Sequence, residues 1–169
     1  HWAGFPSESI KWCLSEAQIG LEDVEHIAIN QDPKANIGKK IIYTIKNPPK
    51  LNMLWGRLRN RMERGNIKDY LIKEFPQKVF KGKIHAVEHH TAHLFSAFNV
   101  SPFNKAAVIS VDGFGDFAST AWGIGDGVDI SLDDRVYFPH SLGIFYMAIT
   151  QFIGFNNWGD EYKVMGLAP

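Results

Sequence analysis

The feature that most constrains the fold is an apolar run that ends in an acidic, glycine-rich turn. Residues 106–111 read Ala-Ala-Val-Ile-Ser-Val, and residues 112–116 read Asp-Gly-Phe-Gly-Asp. A short apolar run bounded by turn residues predicts a buried strand. Residues 118–123 predict a second strand, so the two strands form a hairpin across this turn. Asp112 then lies at a strand end, where α/β proteins often place acidic groups that meet ligands or metals.

Elements on both sides of the hairpin complete a mixed α/β arrangement. A strand is predicted over 83–87 and a helix over 88–98, before the hairpin. After it come a turn at 125–127, a third strand that includes 136–138, and a buried apolar helix over 141–153 capped by Ser141. Strand, helix, three strands and helix in this order are typical of an α/β fold.

The first part of the chain predicts a helix over 7–19, capped by Ser7 and stopped at Gly20. Cys13 falls on the apolar face of this helix, which predicts a small core residue. Residues 26–29 are short and apolar and predict a buried strand.

The middle of the chain is harder to interpret because prolines and glycines interrupt it. Its isoleucines, Ile41, Ile42 and Ile45, suit either a helix or a strand. Residues 51–75 predict mainly helix, with a separate piece over 69–75 that Pro76 ends. We expect an insertion here rather than part of a catalytic core. The segment 159–169 predicts a surface loop.

Composition excludes several classes of protein. The formal net charge is zero and the isoelectric point is near 7.2, so no global charge predicts binding to nucleic acid or to an anionic membrane. The basic stretch made by Arg57, Arg59, Arg61 and Arg64 predicts a solvated helix face. No apolar run approaches the ~20 residues that span a bilayer.

The single cysteine and the two ends of the chain bear on its location. One cysteine cannot form an internal disulfide, which is compatible with a reducing cytoplasm. The chain starts His-Trp-Ala-Gly without an initiator Met and ends Gly-Leu-Ala-Pro. We expect no signal peptide, a cytoplasmic location, and ends that cut through a longer protein.

Chemistry is concentrated in residues 88–93, which read Glu-His-His-Thr-Ala-His. On a helix, His89 and His93 lie one turn apart on the same face, a spacing that can bind one metal ion. His90 points elsewhere. The alternative is a pair of structural histidines.

Asp112 supplies the third ligand of the predicted metal site. Two imidazoles and one carboxylate leave open positions on a metal ion, which is typical of a catalytic site, and this ligand set suits iron(II), zinc or manganese. Gly113 and Gly115 would let the backbone approach a phosphate closely, and Asp116 could orient a cation or a donor. A plain hairpin turn is the alternative for residues 112–116.

Several segments together resemble the amino-terminal domain of the nodulation-type O-carbamoyltransferases. They are residues 88–93 with 96–98 and 101–103, then 106–116, 138–143 and 161–169. The resemblance runs from about residue 83 to the end. His1 and Phe5-Pro6 also resemble the family's early residues, whereas 30–80 match poorly.

The resemblance implies an α/β actin- and Hsp70-like ATPase fold with ribonuclease-H-like halves, here an incomplete fragment. It implies that a second domain makes carbamoyl-adenylate from carbamoyl phosphate and ATP. The first domain then passes the carbamoyl group to a hydroxyl of a small molecule, such as a sugar-containing signal or an antibiotic. The metal ligands of the family map to His89, His93 and Asp112, with iron(II) expected, and His1 resembles another active-site histidine.

On this resemblance, residues 1–169 form part of the carbamoyl-transfer domain. Residues 1–82 would be the remainder of its first half, with a variable helical insertion at about 30–80. Residues 83–169 would hold the metal-binding helix and the start of the second half. The adenylate-forming domain and a later metal-ligating Asp are expected to lie outside the chain, which would then be inactive alone.

Roles beyond metal binding are assigned as candidates. His1 and His90 are candidate general bases for the acceptor hydroxyl. Gly113, Gly115 and Asp116 are candidates for contacting ATP or carbamoyl-adenylate. Exposed apolar surface would favour association, so a homodimer is possible. No nucleic-acid or membrane partner is expected.

Two other functions remain open at this point. Threonylcarbamoyl transferases for tRNA share the fold and a His-x-x-x-His pair, although the segment 161–169 and the lack of a broad basic surface argue against them. Alternatively, the chain is a non-catalytic module that binds metal or nucleotide.

Overall fold

Residues 5–48 and 67–167 are described by a computed structural model of the chain. Residues 51–66 of the helix predicted over 51–75, the basic stretch from Arg57 to Arg64, and the candidate His1 lie outside the described residues.

The helices and strands confirm a mixed α/β arrangement. The helices are α1 (Ser7–Glu16), α2 (Ile37–Lys46), α3 (Ile67–Glu74), α4 (His89–Phe98), α5 (Leu142–Phe152) and α6 (Glu161–Met165), with a short 3-10 turn at Leu21–Asp23. The strands are β1 (His26–Ile29), β2 (Lys83–Ala86), β3 (Lys105–Gly115), β4 (Ala118–Asp126) and β5 (Asp129–Tyr137). β1 pairs with β2, and β3, β4 and β5 form a second sheet in that order.

The chain divides into two units, which are described separately. Of the described residues, the first comprises 5–29, 44–48 and 67–85, and the second comprises 30–43 and 86–167.

The sheet of the second unit is antiparallel, with Val108 opposite Gly123 and Ala121 opposite Arg135. The hairpins are tighter than the sequence predicts. β3 continues through Gly115, so the predicted turn at 112–116 is wrong: its register is irregular between Val111 and Gly115, and the chain reverses at Asp116 and Phe117, which have φ of 48° and 75°. These left-handed values let two residues close the hairpin.

The second turn is displaced in the same way. The predicted turn at 125–127 is wrong because β4 continues through Asp126 and β5 begins at Asp129. Gly127 supplies the positive φ that this two-residue connection needs, at 64°.

The core of the second unit lies between α4 and its sheet. Leu94 and Phe98 of α4 are buried, and so are Ala118 and Ala121 of β4. Leu94 and Phe98 are four residues apart, so they share one helix face. Small residues on β4 let that face approach the strand, and the ring of Phe98 lies 2.7 Å from where a Cβ on Gly125 would be.

Helix α5 packs against β3 and also contacts α6. Ser141 is its N-cap, as predicted, and accepts a hydrogen bond from the Ile144 N–H at 3.0 Å. The prediction of a buried helix is wrong: Phe145 and Phe152 are 61% and 87% exposed, and Thr150 is the buried residue of the helix.

Several predicted details of α1, which lies in the first unit, are wrong. Its N-cap is Pro6 without a side-chain cap, so the Ser7 cap is wrong, and the helix ends at Glu16 rather than at Gly20. Cys13 is exposed, as α1 has no buried residue at all. The prediction of a core cysteine is therefore also wrong.

Other ambiguous segments are settled as helices. The isoleucines 41, 42 and 45 lie in α2, and α3 confirms the helical piece predicted before Pro76. The segment predicted as a loop after residue 159 contains α6. Within the described ranges, no helix combines the length and apolar character needed to cross a bilayer.

Replacing Gly125 by Ala is expected to lower the free energy of unfolding by about 1–3 kcal/mol, because the added methyl group would overlap the buried Phe98 ring. Gly38→Ala is the matched control. Nothing lies within 4 Å of its Cβ position, and it lies inside α2, so it should stabilise by about 0.5–1 kcal/mol. Urea denaturation of wild type and both variants measures their free energies of unfolding. A Gly125→Ala variant as stable as wild type would contradict the packing of Phe98 against Gly125.

Candidate metal centre

The start of α4 is set by Glu88. This residue is the N-cap, and its carboxylate accepts hydrogen bonds from the Thr91 N–H at 2.8 Å, the Thr91 hydroxyl at 2.7 Å and the His90 N–H at 3.3 Å. These bonds satisfy N–H groups that have no partner inside the helix. Because the helix begins at His89, both His89 and His93 project from the same face one turn apart.

The three predicted metal ligands converge. His89 Nε2 lies 2.8 Å from Asp112 Oδ2 and 3.1 Å from His93 Nε2, and His93 Nε2 lies 3.6 Å from Asp112 Oδ2. One ligand atom from each residue falls within 4.8 Å of the other two. Among the described residues, this is the only group of three or more histidine, cysteine or acidic side chains that meets such a criterion.

The donor set fits a divalent transition metal. Bonds of about 2.0–2.1 Å at a tetrahedral angle place two nitrogen ligands roughly 3.3 Å apart, which is close to the separation of the two imidazoles here. The side chains of His93 and Asp112 are 48% and 42% exposed, and that of His89 is 20% exposed. One side of the cluster therefore faces solvent, which leaves room for further ligands.

The orientation of His89 is fixed from its other ring nitrogen. His89 Nδ1 lies 3.2 Å from the carbonyl oxygen of Asn30. The 2.8 Å contact of Nε2 with the Asp112 carboxylate is a hydrogen bond that Nε2 donates. A metal ion would replace that proton, and Nδ1 would then carry the ring proton and donate it to the Asn30 carbonyl. Histidines that bind metals commonly have their tautomer set in this way.

Asp116 holds the backbone at the same point. Its Oδ2 accepts hydrogen bonds from the His89 N–H at 3.0 Å and the Asp32 N–H at 2.7 Å, and its carbonyl accepts one from Asn36 Nδ2 at 2.9 Å. Asp116 therefore joins the β3–β4 turn, the start of α4 and the segment 30–36. This arrangement makes Asp116 a positioning residue for His89.

Sequence reasoning missed the contribution of Asn30, Asp32 and Asn36, because it assigned their segment to an insertion. The available signal was the polar stretch Asn-Gln-Asp-Pro at 30–33, which directly follows the strand β1. Polar residues after a strand are frequent at functional sites.

The glycines predicted to approach phosphate have close neighbours of their own. The Gly113 N–H donates to Asp112 Oδ1 at 2.6 Å, which orients the carboxylate. The ring of His89 occupies the space where a Cβ on Gly115 would lie, so this position requires glycine for the approach of the imidazole. Nucleotide contacts by Gly113, Gly115 and Asp116 stay predictions.

His90 is not brought to the cluster surface. It is fully buried, and its Nδ1 lies 2.9 Å from the Ser110 hydroxyl on β3. This placement gives His90 a packing role between α4 and the sheet and does not present it to an incoming hydroxyl. The general-base role of His90 stays a prediction that its burial does not support, and that of His1 stays a prediction outside the described residues.

The pKa of Asp112 lies below its usual range. Burial of the carboxyl group raises this pKa. The hydrogen bond with His89, the bond from the Gly113 N–H and the charges of His89 and His93 lower it by more, so the net shift is downward. Asp112 is therefore a carboxylate at neutral pH, the form that a metal ligand requires.

Glu88 behaves similarly. Burial raises its pKa, and the hydrogen bonds from Thr91 and His90, with the positive charge of Arg135, outweigh that effect, so that the pKa is lowered. Arg135 Nη2 lies 3.3 Å from Glu88 Oε2, and both side chains are largely shielded from solvent. The cap of the helix that carries His89 and His93 is thus ionised at neutral pH.

Comparison with known proteins shows to which family the chain belongs. The model of the carbamoyltransferase N-terminus family matches residues 1–169. The chain therefore belongs to the carbamoyltransferase N-terminal family, which confirms the resemblance noted from its motifs.

Individual relatives agree with this family. The whole chain is 31% identical over 176 residues to the nodulation protein NolNO of Sinorhizobium fredii, and 32% identical over 182 residues to an uncharacterised protein of Synechocystis. About half of it, 49%, is 44% identical over 85 residues to the nodulation protein NolO of Bradyrhizobium diazoefficiens. These alignments cover 29% or less of each relative, so the chain spans less than a third of their length.

Replacing Glu88 by Gln is expected to lower the free energy of unfolding at pH 7 by about 1 kcal/mol, through loss of the charged cap and of the pair with Arg135. Because the folded pKa of Glu88 is below the reference value of 4.5, its contribution is present above that pH and is lost as pH falls through the folded pKa. The variant should therefore lose less stability than wild type on acidification below about pH 4.5.

Urea denaturation of wild type and Glu88→Gln between pH 7 and pH 3 measures this difference. Glu16→Gln, at an exposed position on α1, is the control and should follow wild type. The same pH dependence in Glu88→Gln as in wild type would contradict the role given to the cap.

Proposed function

We propose that the chain is the metal-binding part of an O-carbamoyltransferase that transfers a carbamoyl group to a hydroxyl of a small molecule. The observation that carries the proposal is the convergence of His89, His93 and Asp112 within a chain that belongs to the carbamoyltransferase N-terminal family. Carbamoyl transfer needs a polarised acyl oxygen, and the exposed side of this cluster is where such an oxygen could bind.

His89, His93 and Asp112 would hold the metal, for which iron(II) is proposed and to which zinc and manganese are alternatives. When bound, the metal would act as a Lewis acid towards carbamoyl or phosphate oxygens. The protein keeps the ligands ready for this role. Asn30 sets the tautomer of His89, Asp116 holds its backbone, and the lowered pKa of Asp112 keeps the carboxylate ionised.

The donor in this proposal is carbamoyl-adenylate, made from carbamoyl phosphate and ATP by a domain outside these 169 residues. The greater length of the relatives supports this division, since the chain spans less than a third of each. We further propose that the chain contributes to an actin- and Hsp70-like fold, and that it does not transfer carbamoyl groups by itself. We propose a sugar-containing small molecule as the acceptor, in keeping with the resemblance to the nodulation-type family.

Metal binding by the isolated chain is the first test. Manganese(II) suits a mixed imidazole and carboxylate site and is detected by electron paramagnetic resonance. Wild type should bind one equivalent, whereas His89→Ala and Asp112→Asn should lose it. His140→Gln is the control because His140 is exposed and does not belong to the cluster. Binding that persists in His89→Ala would contradict the assigned ligands.

Transfer is tested in a protein of the relatives' full length that contains this chain. Labelled carbamoyl phosphate, ATP and a panel of sugar alcohols should give a labelled carbamate ester, and His93→Ala should reduce its formation at least ~100-fold, since even residues that only support ligands cost 10–100-fold. The 169-residue chain should give none. Full activity in His93→Ala, or turnover by the chain alone, would contradict the proposal.

A further inference from the structure

A pair of neighbouring histidines lies in the first unit, on the sheet formed by β1 and β2. His26 is the first residue of β1 and His85 is the third residue of β2. His26 Nδ1 lies 2.9 Å from His85 Nε2, and the ring centroids are 5.0 Å apart with planes inclined at 52°. We propose that His26 and His85 form a second metal site, which takes a divalent transition metal ion such as nickel, copper or zinc.

The separation of the two nitrogens fits a shared ion. It is within a few tenths of an ångström of the 3.1 Å between His89 Nε2 and His93 Nε2. Two nitrogen ligands on a tetrahedral zinc ion lie roughly 3.3 Å apart, so a small rotation of each ring admits the ion. Both histidines are exposed, so an ion reaches them without rearrangement of the backbone.

The sheet holds the two imidazoles beside one another. β1 and β2 are hydrogen-bonded neighbours, and the Lys83 N–H donates to the Glu25 carbonyl at 2.8 Å immediately before His26. Gly82, next to Lys83, has no room for a Cβ because the Glu25 and Val24 carbonyls lie against it, which fixes the approach of the two chains. Ligands on paired strands are placed more accurately than ligands on loops.

The chemistry of this pair differs from that of the first site. Its two donors are imidazole nitrogens, and no carboxylate joins them in a group of three among the described residues. Nitrogen ligands favour nickel, copper and zinc, whereas manganese and magnesium prefer oxygen. The remaining positions on the ion would be taken by water or by an added ligand, so this site should bind and release its metal readily.

The second site is independent of the proposed function, because its residues belong to the other unit and are not among His89, His93 and Asp112. The second site predicts that nickel(II) and manganese(II) bind with different stoichiometries. Wild type should bind two equivalents of nickel(II) but one of manganese(II). A variant that lacks the first site, His89→Ala with His93→Ala, should keep one equivalent of nickel and bind no manganese.

Isothermal titration with nickel(II) chloride and manganese(II) chloride tests the assignment on the 169-residue chain. His26→Gln and His85→Gln should each lose one nickel equivalent and keep the manganese equivalent. His140→Gln, at an exposed histidine outside both groups, should keep all of them. Thermal melting checks that each variant is folded. If only one of His26→Gln and His85→Gln folds, that variant is enough for the test.

A second measurement needs no variant. Substoichiometric copper(II) should broaden the carbon-bound imidazole proton resonances of His26 and His85 together, and leave those of His140 sharp. The proposal is overturned if nickel stoichiometry is the same in His26→Gln as in wild type, or if copper broadens all exposed histidines equally. If wild type bound no manganese, the proposed function would be contradicted, whereas the proposal of the second site would be unaffected.

Discussion

The hydrogen bonds of Asp116 are the constraint on which the candidate site depends. One carboxylate oxygen accepts the N–H groups of His89 and Asp32, so the first residue of α4 is held at the end of the β3–β4 hairpin. The positive φ of Asp116 directs the turn towards this position. The Glu88 cap and the Asn30 carbonyl also constrain His89, but only Asp116 joins its backbone N–H to the hairpin. His89 on the helix and Asp112 on the strand are thereby held within 2.8 Å of each other.

The glycines and alanines of the hairpin allow this approach. Gly115 leaves space for the His89 ring, and Gly125 leaves space for Phe98 at the other end of the same helix. Glu88 and Arg135 join the helix start to β5 on the shielded side. Helix α4 is therefore held at its first residue, at its cap and at its last residue, and this rigidity preorganises the cluster before any ion binds.

The sequence predicted the elements that matter most to the site. The apolar run before Asp112 and the periodic pattern after Glu88 are local signals that predicted β3 and α4, and the structure brings His89, His93 and Asp112 together. The predicted ends of β3 and β4 were wrong by four and three residues. At the first turn, the positive φ of Asp116 and Phe117 is not a preference that reasoning from glycine positions detects. The contacts of Asn30 and Asp32 join positions more than 50 residues apart and have no local signature.

X-ray absorption at the metal edge of the iron(II)- or zinc-loaded chain tests the central claim most directly. The account predicts a first shell of nitrogen and oxygen with the outer-shell scattering of two imidazoles, and only one imidazole when His93 is replaced by Ala. A shell of oxygen alone, or a spectrum that the loss of His93 does not alter, would show that His89, His93 and Asp112 do not share an ion.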